Sequence, residues 1–163
     1  MIFNFSSRLI KVRGRLIEKF SLFKTYRTLS TASVDVLWQK LIDLTDVSWH
    51  PLFSRTNAPF GLMAKPGLIY KVVTRLTPIP VRIFVEQVSP KEVLSVRILT
   101  IPGIQQKITY QVESTLRGTY ISYSVTLRGW WSPVLWCLIK SHSAKVVSEL
   151  AKVAESNRVK KNK

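Results

Sequence analysis

Acidic residues are scarce in this chain. Nine Asp and Glu stand against 25 Lys and Arg over 163 residues, for a formal net charge of +16. A surface so unbalanced attracts polyanions, either anionic lipid head groups or nucleic acid. Cysteine is almost missing too. The single Cys137 excludes an intramolecular disulfide and any CxxC metal site, and it reads as a small core hydrophobe rather than a nucleophile. The two histidines, His50 and His142, have no cluster of carboxylates at metal-ligand spacing around them. No GxSxG, HExxH, P-loop or GxGxxG pattern occurs. The sequence therefore predicts no metal and no cofactor. Long apolar runs are lacking as well. The longest uncharged apolar stretch, Gly129 to Ile139, is closed off by Arg128 and Lys140, and a spanning helix needs about 20 apolar residues.

Apolar material is nevertheless plentiful. Hydrophobic residues make up 46% of the chain and charged residues 21%, enough for one real core. The reading divides the chain into a basic N-terminal extension (1–20), one domain (21–156) and a short basic tail (157–163), whose composition predicts disorder.

In the extension, Ile2, Phe5, Leu9, Val12, Leu16 and Phe20 fall on one helical face. Arg8, Lys11, Arg15 and Lys19 cluster beside them. Three readings stay open: a helix lying in a membrane surface, an Arg-rich, acid-poor transit peptide, or a helix packed on the domain. The first implies a cytoplasmic protein with peripheral membrane contact, the second a plastid-type import.

Thr31 to Pro66 organises the domain. Val34, Leu37, Trp38, Leu41 and Ile42 recur at spacings of three and four and share a helix face. Ser33 or Thr31 can cap that helix. The turn-like Asp46–Pro51 follows, and beyond it the period changes to two. Strands are expected over 22–29, 53–58, 68–76, 79–88, 93–101, 104–115 and 119–127, joined by Pro and Gly turns. Such a meander has one face that wants covering. The longest helical segment runs from Trp130 to about Ser156, with Ser132-Pro133 suited to its start. Its apolar stripe is read as Trp131, Leu135, Leu138 and His142, extended by Val146, Leu150 and Val153.

This order of strand, helix, short helix, about six strands and long helix resembles the START-like SRPBCC superfamily. That superfamily covers the birch-pollen-allergen-like, polyketide cyclase/dehydrase and coenzyme Q-binding groups. The resemblance is carried by Thr31-Ala32-Ser33-Val34-Asp35-Val36-Leu37-Trp38, by Ile42-Asp43, by Trp49-His50-Pro51, by Lys65-Pro66-Gly67 and by Arg117-Gly118-Thr119. It covers about residues 22 to 156, and its specificity lies in the order and spacing of these motifs. It implies an α+β helix-grip fold, a curved antiparallel sheet of about six to seven strands wrapped around a long C-terminal helix, with an apolar cavity between them.

Within that fold the expected cavity residues are Trp38, Tyr70, Phe84, Tyr110, Tyr123, Leu138 and His142. Trp130 and Trp131, where the last strand hands over to the helix, suit either a membrane interface or a packed lid. Phe60, Leu62 and Met63 form a second apolar loop that could share the cavity mouth. Glu86, Glu113 and Arg82 belong either to the wet convex side or to the few polar groups that orient a ligand. His50 reads as structural.

The function expected is binding of a hydrophobic small molecule or lipid, with docking on anionic membranes through Arg8, Lys11, Arg15, Lys19, Trp130 and Trp131. The alternative is a cyclase or dehydratase in which His142 or Glu113 serves as acid or base. An RNA-associated role ranks third: the positive charge is diffuse, and no RNP-like, KH or zinc-finger pattern accompanies it.

Overall fold

A computed structural model describes residues 21–99 and 102–161, and side chains as far as residue 156. Strand β1 (Ser21–Ser30) leads into helix α1 (Val34–Ile42). Strands β2 (Phe53–Thr56), β3 (Ile69–Thr74), β4 (Pro80–Ser89), β5 (Val93–Ile98), β6 (Gln105–Thr115) and β7 (Gly118–Arg128) follow, then helix α2 (Ser132–Lys161). The seven strands form one antiparallel sheet in the order β1-β7-β6-β5-β4-β3-β2. The sheet curls into a half-barrel over α2, which is the helix-grip arrangement.

Each element follows from its pattern. In β7 the residues Ile121, Tyr123, Val125 and Leu127 alternate inward and are all buried, as a half-covered antiparallel strand requires. Ser33 caps α1, its hydroxyl accepting from the Val36 N–H at 3.4 Å. Leu37, Trp38 and Leu41 are the buried residues of α1.

Three expectations are corrected. No second short helix follows α1: residues 43–52 form an irregular turn. Asp46 pins that turn by pairing with Lys40 and accepting from the Ser48 hydroxyl at 2.5 Å and the Ser48 N–H at 3.0 Å, and these bonds, that of Lys40 foremost, hold its carboxyl down to about 2. The inward stripe of α2 keeps the expected Val146 and Leu150 but is rotated by one residue in its first half, where Ile139 and Ser143 replace Leu138 and His142. Ile139, Ser143, Val146, Val147, Leu150 and Ala154 are buried, whereas Leu138 is exposed. Cys137 consequently faces solvent rather than the core. The helical backbone of α2 runs on to Lys161.

Glu155 clamps α2 to the β1–α1 junction. Its Oε1 accepts from the Ser30 hydroxyl at 2.8 Å and from the Thr31 N–H at 2.9 Å. Those donors, the Thr31 N–H foremost, hold its carboxyl below the usual range. Glu155→Ala is expected to cost about 1 kcal/mol. Glu155→Gln, which keeps an acceptor, should cost less. Thermal denaturation at neutral pH checks both.

Candidate ligand-binding site

One end of the half-barrel gathers the start of β1, the β3–β4 and β5–β6 loops, the end of β7 and the start of α2. The register shows this: Arg128 pairs with both Ser21 and Gln105. At this end an apolar pocket of about 180 Å³ lies between sheet and helix. Leu52, Phe53, Ile98, Leu135, Leu138 and Ile139 supply much of its wall. The polar residues lining it are Thr74, Thr77 and Gln106. None of the residues lining it is titratable.

The two threonines are committed to their own loop. The Thr77 N–H donates to Thr74 Oγ1 at 3.2 Å, and Thr74 Oγ1 donates to the Thr77 carbonyl at 3.4 Å. Gln106 is different: the residue is 6% exposed, lines the pocket and makes no such bond. It is not among the expected cavity residues. The signal was present, because Gln106 takes an inward register position between Ile104 and Ile108, where an apolar residue is expected.

The pocket opens through an apolar lip. Trp130 is 61% exposed and Leu138 56% exposed, and Trp131 and Val134 are exposed beside them. The two indoles lie with ring centroids 4.3 Å apart. A shallow groove of about 160 Å³ runs from the mouth over Ile104, Trp131, Val134, Leu135 and Leu138. Glycine makes this lip possible. Gly129 has φ +136°, and a Cβ there would stand 2.1 Å from the Gly103 carbonyl oxygen, so the β7–α2 and β5–β6 connections meet backbone to backbone.

The expected cavity residues divide. Leu138 lines the pocket. Tyr70 and Tyr110 line a separate, smaller space of about 40 Å³ with His50. Trp38 and Tyr123 are buried in the packed core. Phe84 is corrected to the outer face: Val81, Ile83 and Val85 point inward, so alternation places Phe84 beside Ile69 and Arg97. His142 sits on the flank of α2, half-buried, its Nδ1 3.3 Å from the Ser141 hydroxyl. Glu113 is on the exposed outer face, 3.6 Å from Arg27. Glu86, also outside, pairs with Arg97 and Lys107. Phe60 and Met63 belong to the loop before β3, at the opposite end of that strand from Leu76, so they do not share the mouth. Arg8, Lys11, Arg15 and Lys19 lie outside the described residues.

His50 is a buried titratable group beside the pocket wall. It is 1% exposed and stacks on Phe53 at 4.0 Å. Its Nδ1 accepts from the Leu52 N–H at 3.2 Å. The neutral ring must then carry its proton on Nε2, which lies 3.1 Å from the Tyr110 hydroxyl and donates to it. Burial, with the nearby charges of Arg75 and His142, lowers its pKa to about 3. Burial pushes the phenols of Tyr70, Tyr110 and Tyr123 upward. This cluster therefore offers protonated donors and no free base.

No metal-binding group of three or more His, Cys, Asp or Glu occurs among the described residues. No described helix is long and apolar enough to cross a membrane.

No protein-family model and no curated protein matches this sequence. Solved structures do match the fold. Ara h 8.0201 is 13% identical, over 84% of this chain and 99% of that chain, with a TM-score of 0.64. Truncated norcoclaurine synthase from Thalictrum flavum is 14% identical, over 82% of this chain and 93% of that one, with a TM-score of 0.61. The di-domain ARO/CYC protein StfQ of the steffimycin biosynthetic pathway is 13% identical, over 98% of this chain and 63% of that one, with a TM-score of 0.69. All three are START-like structures.

Proposed function

We propose that this chain, which has the helix-grip fold of the START-like superfamily, binds a hydrophobic small molecule or lipid in the sheet–helix pocket and exchanges it with anionic membrane surfaces. The supporting observation is the apolar pocket with a lip of exposed tryptophan and aliphatic side chains at its mouth. Burying apolar ligand surface there contributes roughly 25 cal/mol per Å². A pocket of about 180 Å³ is smaller than the roughly 300–1,000 Å³ that encloses a drug-sized ligand. One end of the ligand is therefore enclosed, and the remainder lies along the groove over Trp131 and Val134. A carrier needs no acid or base in its pocket, and this lining has none. A cyclase or dehydratase would need one.

The test of binding is mass spectrometry of an organic extract of protein purified from its native host. A stoichiometric lipid, quinone or pigment is the expected result. A folded protein with an empty extract, and no saturable binding of an apolar fluorescent probe, would overturn the reading.

Docking is supported by the net charge of +16 and by the exposed indoles, which suit the bilayer interface. The double variant Trp130→Ser/Trp131→Ser should lower partitioning onto vesicles rich in anionic phospholipid by about tenfold or more. Binding of the unaltered protein should weaken with salt. Vesicle sedimentation reads both. Unchanged partitioning of the variant would remove this lip as the docking surface and leave the pocket reading intact.

A further inference from the structure

Gln106 on β6 is paired directly with Ile98 of β5 and Leu127 of β7. Those two neighbours, and the next inward residue Ile108, are apolar and buried. An amide brings one acceptor oxygen and two N–H donors. In Gln106 neither amide atom has a hydrogen-bond partner among the described residues. The residue as a whole is 6% exposed and lines the pocket. The wholly buried side-chain polar atoms without a partner among the described residues are Ser132 Oγ and Ser143 Oγ, so solvent in the pocket reaches the Gln106 amide, and a ligand that displaces that solvent must replace its hydrogen bonds. Thr74 and Thr77, the other polar residues of the lining, bond to each other. Gln106 is thus the uncommitted polar group at this site.

We propose that Gln106 sets the specificity of the pocket by hydrogen-bonding a neutral carbonyl or hydroxyl group on the inserted end of an otherwise apolar ligand. The inference rests on the pocket-binding reading above and adds the chemistry of that inserted end. The group is neutral because no Lys, Arg or His lines the pocket, and an anion enclosed without a cation would be strongly disfavoured. The ligand consequently enters polar end first. Its apolar remainder lies along Ile104, Trp131 and Val134, the side that faces a membrane when the lip docks.

Titrations with naphthalene, 2-naphthol and 2-naphthoate, read by fluorescence, test this. The unaltered protein should bind 2-naphthol about tenfold more tightly than naphthalene, a difference of about 1.4 kcal/mol. It should bind 2-naphthoate less tightly than 2-naphthol. Gln106→Leu should hold naphthalene at least as well and shrink the preference for 2-naphthol to within about twofold. Gln106→Met guards against poor packing of the branched side chain and should behave alike. Both variants should melt no lower than the unaltered protein. Equal affinity of the unaltered protein for naphthalene and 2-naphthol overturns the inference alone. So does a preference that persists in both variants, or a lower melting temperature in both, which would mark the amide as structural. Failure of every probe to bind the unaltered protein overturns the pocket reading and this inference with it.

Discussion

Acid is expected to destabilise this protein well above the range in which carboxylates titrate. Between pH 6.5 and about 4.5, unfolding free energy should fall with a slope approaching 1.4 kcal/mol per pH unit. The cause is His50. Burial chiefly, then the charges of Arg75 and His142, lower its pKa from 6.5 to about 3. Above pH 6.5 the imidazole is neutral in both states, and its full contribution is present. Below 6.5 the unfolded chain takes up a proton that the folded protein refuses, so stability drains away until the folded pKa near 3 is reached. Over that window His50 removes about 2.3 kcal/mol, a large share of an ordinary domain's stability. Asp46, held down to about 2, adds its loss only below pH 4, outside this window. Denaturant titrations at closely spaced pH values measure the slope. His50→Gln keeps an amide able to accept from Leu52 and to donate to Tyr110. It should be less stable at pH 7 but show a much flatter profile from pH 6.5 to 4.5. An equally steep profile in that variant would place the acid sensitivity elsewhere.

Leu138→Asp is expected to weaken binding of an apolar probe by about 30- to 100-fold while leaving the fold intact. Leu138 lines the pocket yet is 56% exposed, so the apo protein keeps the new carboxylate hydrated. The substitution removes the leucine's contact with the ligand, worth roughly 1.5–3 kcal/mol when fully buried, and ligand binding must then face the aspartate. Binding would also strip water from a charge without a partner. Melting temperature should move by a few degrees at most. The neighbouring Lys140 is exposed on the same helix, and Lys140→Ala should leave probe affinity within about twofold, which separates the wall of the pocket from general changes in helix charge. Fluorescence titration and thermal melting of the three proteins decide it. Unaltered probe affinity in Leu138→Asp would move the binding site away from this mouth.

Much of the fold was legible because alternation and helical periodicity are local. The inward residues of β7, Ile121, Tyr123, Val125 and Leu127, announce themselves at every second position, and Val34–Ile42 announces its face by spacing alone. The ends of elements were less legible, because hydrogen bonds between distant segments fix them. Glu155 reaching Ser30 and Thr31 is one example, and no periodicity signals it. The rotation of α2 was missed for a similar reason. Leu138 and Ile139 are both apolar neighbours in sequence, and only the curl of the sheet decides that Ile139 is buried and Leu138 forms the lip.

The site was legible in outline and not in detail. Large aromatic side chains were expected to line the cavity, yet Trp38 and Tyr123 are consumed by core packing, and Tyr70 and Tyr110 enclose a separate space with His50. The pocket wall is mainly aliphatic, drawn one or two residues at a time from the ends of β2 to β6, their connections and the first turns of α2, so no single element's pattern marks it. Phe84 could have been placed outside by strict alternation with Ile83 and Val85. Gln106 could have been found by the same rule, as the polar residue in an inward register.

The most direct test of the pocket is methyl NMR with naphthalene as the probe. The methyl signals of Ile98, Ile104, Leu135, Leu138 and Ile139, which line the pocket, should shift together and saturate at one concentration. Those of Leu37 and Ile121, buried but not among its lining, should stay in place. Shifts confined to exposed Ile69 and Ile79, or no saturable shift at all, would contradict a ligand-binding pocket between the sheet and α2.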